Sequence, residues 1–123
     1  MGSDMEVGET LKLDQSQDFR HWLREHHGNA KEIWLLFHKK SSGKQTLSIA
    51  QAVEEALCFG WIDSTLKPLD PERFALRFSP RRKGSYWSPH NIKHVHRLVA
   101  EGRMTEAGMA ILPPDFMVNK EKA

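Results

Sequence analysis

The residues best equipped for chemistry lie in one stretch, Arg77-Phe78-Ser79-Pro80-Arg81-Arg82-Lys83-Gly84-Ser85-Tyr86-Trp87-Ser88. It carries four cations and three aromatics in twelve positions. Arg81 and Arg82 offer planar forks suited to phosphate or carboxylate, and Lys83 adds a point charge. Gly84 lets backbone amides approach a ligand closely, and Tyr86 or Trp87 offers a face on which a base or sugar can stack. Residues 73–100 contain seven Lys or Arg, three His and no Asp or Glu, leaving eleven basic and sixteen acidic residues for the remainder of the chain. A charge asymmetry of this kind points to an anionic partner, either a small molecule or a polyanion, with nucleic acid as one form of the latter.

A second set surrounds Cys58-Phe59-Gly60-Trp61-Ile62-Asp63. Asp63 follows a helix end and is expected to face the basic loop across a cleft, where it orients Arg77 or Arg81 or, in an enzyme, serves as a general base. Its structural alternative is a salt bridge or a turn cap. Cys58 sits among apolar residues and reads as a packed thiol rather than a nucleophile. His90 and His94 have the i, i+4 spacing of two ligands on one helix face. With Asn91 after His90 and no third ligand evident, the pair predicts no stoichiometric zinc. The expected ligand-binding set is therefore Trp61, Asp63, Arg77, Arg81, Arg82, Lys83, Trp87 and Asn91, with no metal and no cofactor. Within it, Trp87 is the better pocket residue and Trp61 leans to the core.

The elements that position these groups follow from periodicity. Residues 1–8 read as frayed and 10–13 as a short strand. Ser16 is a plausible cap for a helix carrying Phe19, Trp22 and Leu23 on one face and closing at Gly28. Residues 32–40 form a strand whose apolar run Ile33-Trp34-Leu35-Leu36-Phe37 predicts a central position covered on both faces. After a loop at 41–44, Ser48 and Gln51 make a capping box for a helix with the stripe Ile49, Ala52, Val53, Ala56 and Leu57, ended by Gly60. Two strands then flank the turn at Asp70-Pro71 as a hairpin. In the second, Phe74, Leu76 and Phe78 face the core and Ala75, Arg77 and Ser79 the other side. Ser88-Pro89 starts the next helix, with Ile92, Val95, Leu98 and Val99 inward. Thr105 caps a short last helix flanked by a Met104–Met109 staple and stopped by Pro113-Pro114.

The sum is one α+β domain with a small, mostly antiparallel sheet and helices packed against it. Its 123 residues suffice for a core without disulfides, and the single cysteine rules out an intrachain bridge. A formal net charge of +2 does not by itself argue for nucleic acid. No apolar run reaches signal-peptide or membrane-span length, so the expected location is cytoplasmic.

Three segments together resemble the YdeI/OmpD-associated, or bacteriocin-protection, family. They are Glu55-Ala56-Leu57-Cys58-Phe59-Gly60-Trp61-Ile62-Asp63-Ser64, the basic stretch from Arg77 to Ser88, and the run from Asn91 through Arg97-Leu98-Val99-Ala100-Glu101-Gly102-Arg103-Met104-Thr105-Glu106-Ala107-Gly108. The resemblance spans roughly residues 10–112. It implies a role in resistance to bacteriocins or cationic antimicrobial peptides and supplies no catalytic residue or cofactor. Some members of that family are periplasmic, which the apparent lack of a signal sequence here does not match. The leading expectation is a non-enzymatic binding or stress-resistance protein with a basic, aromatic-lined cleft. The alternative is a small enzyme acting on an anionic metabolite.

Overall fold

A computed structural model describes residues 10–39, 47–113 and 116. The expectations for residues 1–8, for the loop at 41–44 and for Pro114 lie outside them. The elements run β1 (Thr10–Leu11), α1 (Ser16–His26), β2 (Ile33–His38), α2 (Ile49–Cys58), β3 (Trp61–Asp70), β4 (Arg73–Pro80), α3 (Pro89–Ala100) and α4 (Glu106–Ala110). The strands form one sheet in the order β1-β2-β4-β3, parallel between β1 and β2 and antiparallel elsewhere. This is the α+β architecture read from the sequence. Among the described residues no helix is long and apolar enough to cross a membrane.

Strand periodicity decides what each face of the sheet does. Ile33, Leu35 and Phe37 of β2 stand opposite Phe78, Leu76 and Phe74 of β4, so six apolar side chains share one face. That face packs into a core with Phe19 and Leu23 of α1, Ala52, Ala56 and Leu57 of α2, and Val95 and Leu98 of α3. The other face is not open. Trp34 and Ala75 are fully buried there, and Arg77, directly across from Trp34, bonds Glu32 at 2.6 Å. Both faces of β2 are thus covered, as its unbroken apolar run requires.

Local chemistry sets the helix ends. Ser48 and Gln51 exchange two bonds of 3.0 Å at the start of α2. The Ser88 hydroxyl accepts from the Asn91 amide at 3.1 Å, with Pro89 in the first helical turn. For α1 the cap is Gln15, not Ser16: the Gln15 amide donates to Asp18 Oδ2 at 3.1 Å, which draws the boundary one residue back. Gly60 turns the chain from α2 into β3 with φ +77, a region that disfavours a side chain. Met104 packs on the core, whereas Met109 stays exposed and adds little to a staple.

Thr105 joins α4 to the body of the domain. Its hydroxyl accepts from the Gly108 amide at 3.2 Å and donates to the Cys58 carbonyl at 2.6 Å. The same carbonyl accepts from the Thr105 amide at 3.0 Å. Thr105→Ala removes a cap and a tertiary bond together, and a loss of about 1–2 kcal/mol is expected in urea unfolding. Thr105→Ser should restore most of it; an unchanged midpoint in the alanine variant would show that α4 docks without this hydroxyl.

Candidate functional site

Asp63 lies near the start of β3, opposite Phe78 of β4. Since Phe78 faces the core, Asp63 emerges on the helix-covered side of the sheet, near the starts of α2 and α3. There it lines a cavity of about 250 Å³ with Ala50 and Val53 of α2 and His90, Asn91 and His94 of α3. Asp63 is half-buried, and its carboxylate has no hydrogen-bond or ion-pair partner among the described residues. The salt bridge or turn cap considered for it from sequence is not made. The imidazoles opposite are set by the helical i, i+4 spacing, with Nε2 atoms 3.1 Å apart and ring planes at 85°. One face of the cavity is apolar; the rest presents a carboxylate, a carboxamide and two imidazoles.

The loop before α3 borders this region. The Arg81 amide donates to the Gly60 carbonyl at 2.8 Å, fixing the loop to the turn that precedes Asp63. The Arg81 guanidinium lies 3.8 Å over the Trp87 ring and donates through Nη2 to the Tyr86 carbonyl at 2.6 Å. Burial pushes this guanidinium down from its ordinary value, and the nearby Asp63 carboxylate offsets part of that shift. Asp63 and Arg81 therefore feel each other without touching.

The other expected site residues are placed differently. Trp61 is 1% exposed and packs edge-on against Trp22 at 5.8 Å, so it belongs to the core. Arg77 points to the opposite face of the sheet, where Glu32, Ser64 and Ser79 hold it. It cannot meet Asp63. Arg82 and Lys83 are exposed on the loop, and Tyr86 beside them is 79% exposed.

Much of the basic stretch is neutralised in three dimensions. Arg73 pairs with Asp70 at 2.8 Å, which holds the Asp70 carboxyl below its usual range. Arg77 pairs with Glu32, and Arg97 with Glu54 and Glu101. Arg81, Arg82, Lys83 and Lys93, four of the seven cations of this stretch, are left without an ion pair among the described residues.

The strongest charge cluster went unread in the sequence. Glu55 is the one buried ionic residue among those described, 5% exposed. Its Oε1 accepts from Arg20 at 3.0 Å and its Oε2 from Arg103 at 2.9 Å. Arg20 also donates to the Arg103 carbonyl at 2.8 Å, and Arg103 reaches Glu54 and Glu101. The network ties α1, α2 and the α3–α4 connection together. Cys58 sits beside it, fully buried; desolvation pushes its thiol up although Arg20 and Arg103 pull it down. It is a packed thiol. A larger groove of about 530 Å³ at the hairpin tip is lined by His38, Asp70, Pro71, Glu72 and Arg73. Its Asp70 is already engaged by the Glu72 and Arg73 amides and the Arg73 side chain, which makes it the weaker candidate.

Among the described residues no group of three or more His, Cys, Asp or Glu is arranged to hold a metal ion. No curated protein and no solved structure matches the chain. Residues 11–111 match the family described as Domain of unknown function (DUF8412), and the match covers most of the chain, its sheet and all four helices. The chain belongs to that family.

Proposed function

We propose that this domain is a non-catalytic binding module whose site is the cavity between α2, the start of β3 and the first turns of α3. Its ligand is a small anionic metabolite that also carries a hydroxyl or amino donor. One observation carries the reading: a half-buried carboxylate, Asp63, faces the cavity with no hydrogen-bonding partner among the described residues. A carboxylate that keeps only part of its exposure and meets no protein donor among the described residues is free to accept from a ligand hydroxyl or amino group. The imidazoles and the positive end of α3 supply the complement for the anionic group. At about 250 Å³ the cavity falls just below the ~300–1,000 Å³ usual for ligand pockets, which favours a metabolite over a polymer. The internal pairing of Arg73, Arg77 and Arg97 supports the same preference.

A stress-resistance role of the bacteriocin-protection kind is part of this proposal, supported by the three sequence segments that resemble that family. The second reading, a small enzyme acting on an anionic metabolite, is favoured by one feature. A carboxylate and two imidazoles facing the same space form a set able to take and return protons.

A thermal-shift screen of small anions, followed by calorimetry on each hit, tests the assignment. Asp63→Asn is expected to weaken a hit by about 1–3 kcal/mol, while Lys83→Ala leaves its affinity nearly unchanged. The ligand should be recovered unaltered after incubation; conversion would establish the enzymatic reading instead. Equal affinity in wild type, Asp63→Asn and Asn91→Ala would remove the site from this cavity.

A further inference from the structure

Resting on that reading, we infer that the cavity binds the oxyanion of its ligand through His90 and His94, and that binding is coupled to proton uptake by this pair. The two Nε2 atoms are 3.1 Å apart. At that separation one nitrogen donates and the other accepts, so a single hydrogen lies between them. The two rings cannot both carry an Nε2 hydrogen while they face each other in this way. Double protonation puts two donors and two positive charges in contact, and the pair must part.

An oxyanion entering from the cavity changes this balance. Its oxygens accept from both Nε2–H groups, which gives the second hydrogen a partner. Its negative charge favours imidazolium over imidazole at both rings. From β3, the Asp63 carboxylate lines the cavity opposite the pair. From α2 come the uncharged Ala50 and Val53; α3 adds the neutral Asn91 and, three residues after His90 and His94, the cations Lys93 and Arg97, of which Arg97 is paired with Glu54 and Glu101 and Lys93 leaves one positive charge beside the pair. Arg81, on the preceding loop, is coupled electrostatically to Asp63 and so limits how much of that carboxylate's field the imidazoles receive. With both imidazoles protonated and Asp63 ionised, the lining carries one net positive charge. That balance suits a singly charged oxyanion, as in a carboxylate, a sulfate monoester or a phosphate diester.

Imidazole changes charge between about pH 5 and 8, so the coupling falls in an accessible window. Acetate and methyl sulfate are suitable probes because each stays a monoanion between about pH 6 and 8. Each is titrated into the full chain at constant ionic strength, by calorimetry and by following the imidazole Cε1–H resonances. The probe that matches the site should bind up to about tenfold more tightly at the lower pH for each unit crossed with one proton coupled. At fixed pH its addition should move both His resonances toward their imidazolium positions, and the preferred probe identifies the carboxylate or the ester source. His94→Gln, a change at the cavity wall that leaves the core side of α3 untouched, should keep the fold's amide spectrum away from the cavity and lose the pH dependence. If a probe shifts the amides lining the cavity with equal affinity at both pH values, the proton coupling is wrong and the binding site stands. If neither probe perturbs those residues at any pH tested, the oxyanion site itself is overturned.

Discussion

Glu55→Ala is expected to destabilise the domain by about 3–4 kcal/mol, the range for leaving a buried ionic partner uncompensated. Glu55 receives both Arg20 and Arg103, and each arginine keeps most of its side chain out of water. Removing the carboxylate leaves two guanidinium groups facing each other across the empty place. Arg20 keeps its bond to the Arg103 carbonyl, its contact with the Cys58 thiol and its position 5.3 Å over the Phe59 ring, none of which supplies a carboxylate. Guanidinium-chloride unfolding with circular dichroism gives the difference directly. Glu101→Ala, at the exposed rim of the same network, should leave the midpoint nearly unchanged, because exposed ion pairs contribute little. Equal effects of the two substitutions would mean that Glu55 is solvated and the network is ordinary surface pairing.

Gly108→Ala should be nearly as damaging for a different reason. A Cβ placed on Gly108 would lie 2.3 Å from the Cys58 carbonyl oxygen and 2.8 Å from its carbon. Both are backbone atoms at the end of α2, so neither helix can yield without moving the other. Overpacking of this kind costs about 1–3 kcal/mol and here is expected at the upper end or beyond. Hydrogen exchange should show residues 105–110 losing protection before the sheet does. Gly28→Ala is the control: nothing lies within 4 Å of the Cβ it would add. A Gly108→Ala protein with wild-type stability would show that α4 is not seated against Cys58.

These two positions also mark how far the sequence could be read. Apolar periodicity marked α1, α2, α3 and β4, because burial on one side is what makes a helix or strand repeat; the unbroken apolar run marked β2, and the Thr105 cap marked α4. The capping box at Ser48 and Gln51 and the start at Ser88-Pro89 were legible because their bonds are made within three residues. Long-range pairing left no such trace. The acid-free window 73–100 resembled an anion-binding surface, yet Glu32 comes from before β2 and Glu54 from α2 to pair with its arginines. A linear charge count cannot see partners that arrive from other elements. Arg77 shows a different limit: alternation turned it to the face away from Phe78, but only the β3–β4 register, which pairs Asp63 with Phe78, shows that Arg77 and Asp63 lie on opposite faces.

Glu55 did leave a signal. It falls three residues after Ala52 and next to Ala56, on the apolar stripe of α2, where a carboxylate must find a buried partner. The site residues were half legible. Asp63 and Asn91 line the same cavity, whereas His90 and His94 entered the sequence reading only as metal-ligand candidates. Their convergence with Asp63 depends on how α3 crosses the end of β3, a tertiary feature with no local signature.

Amide chemical-shift mapping of the full chain against a panel of small carboxylates and phosphate esters tests the central claim most directly. Perturbations from a binding ligand should concentrate on Ala50, Val53, Asp63 and residues 90–94, spreading to Arg81 and Trp87 at the border. Shifts confined to Arg82, Lys83 and Tyr86, or centred on the hairpin tip at residues 70–73, would contradict it.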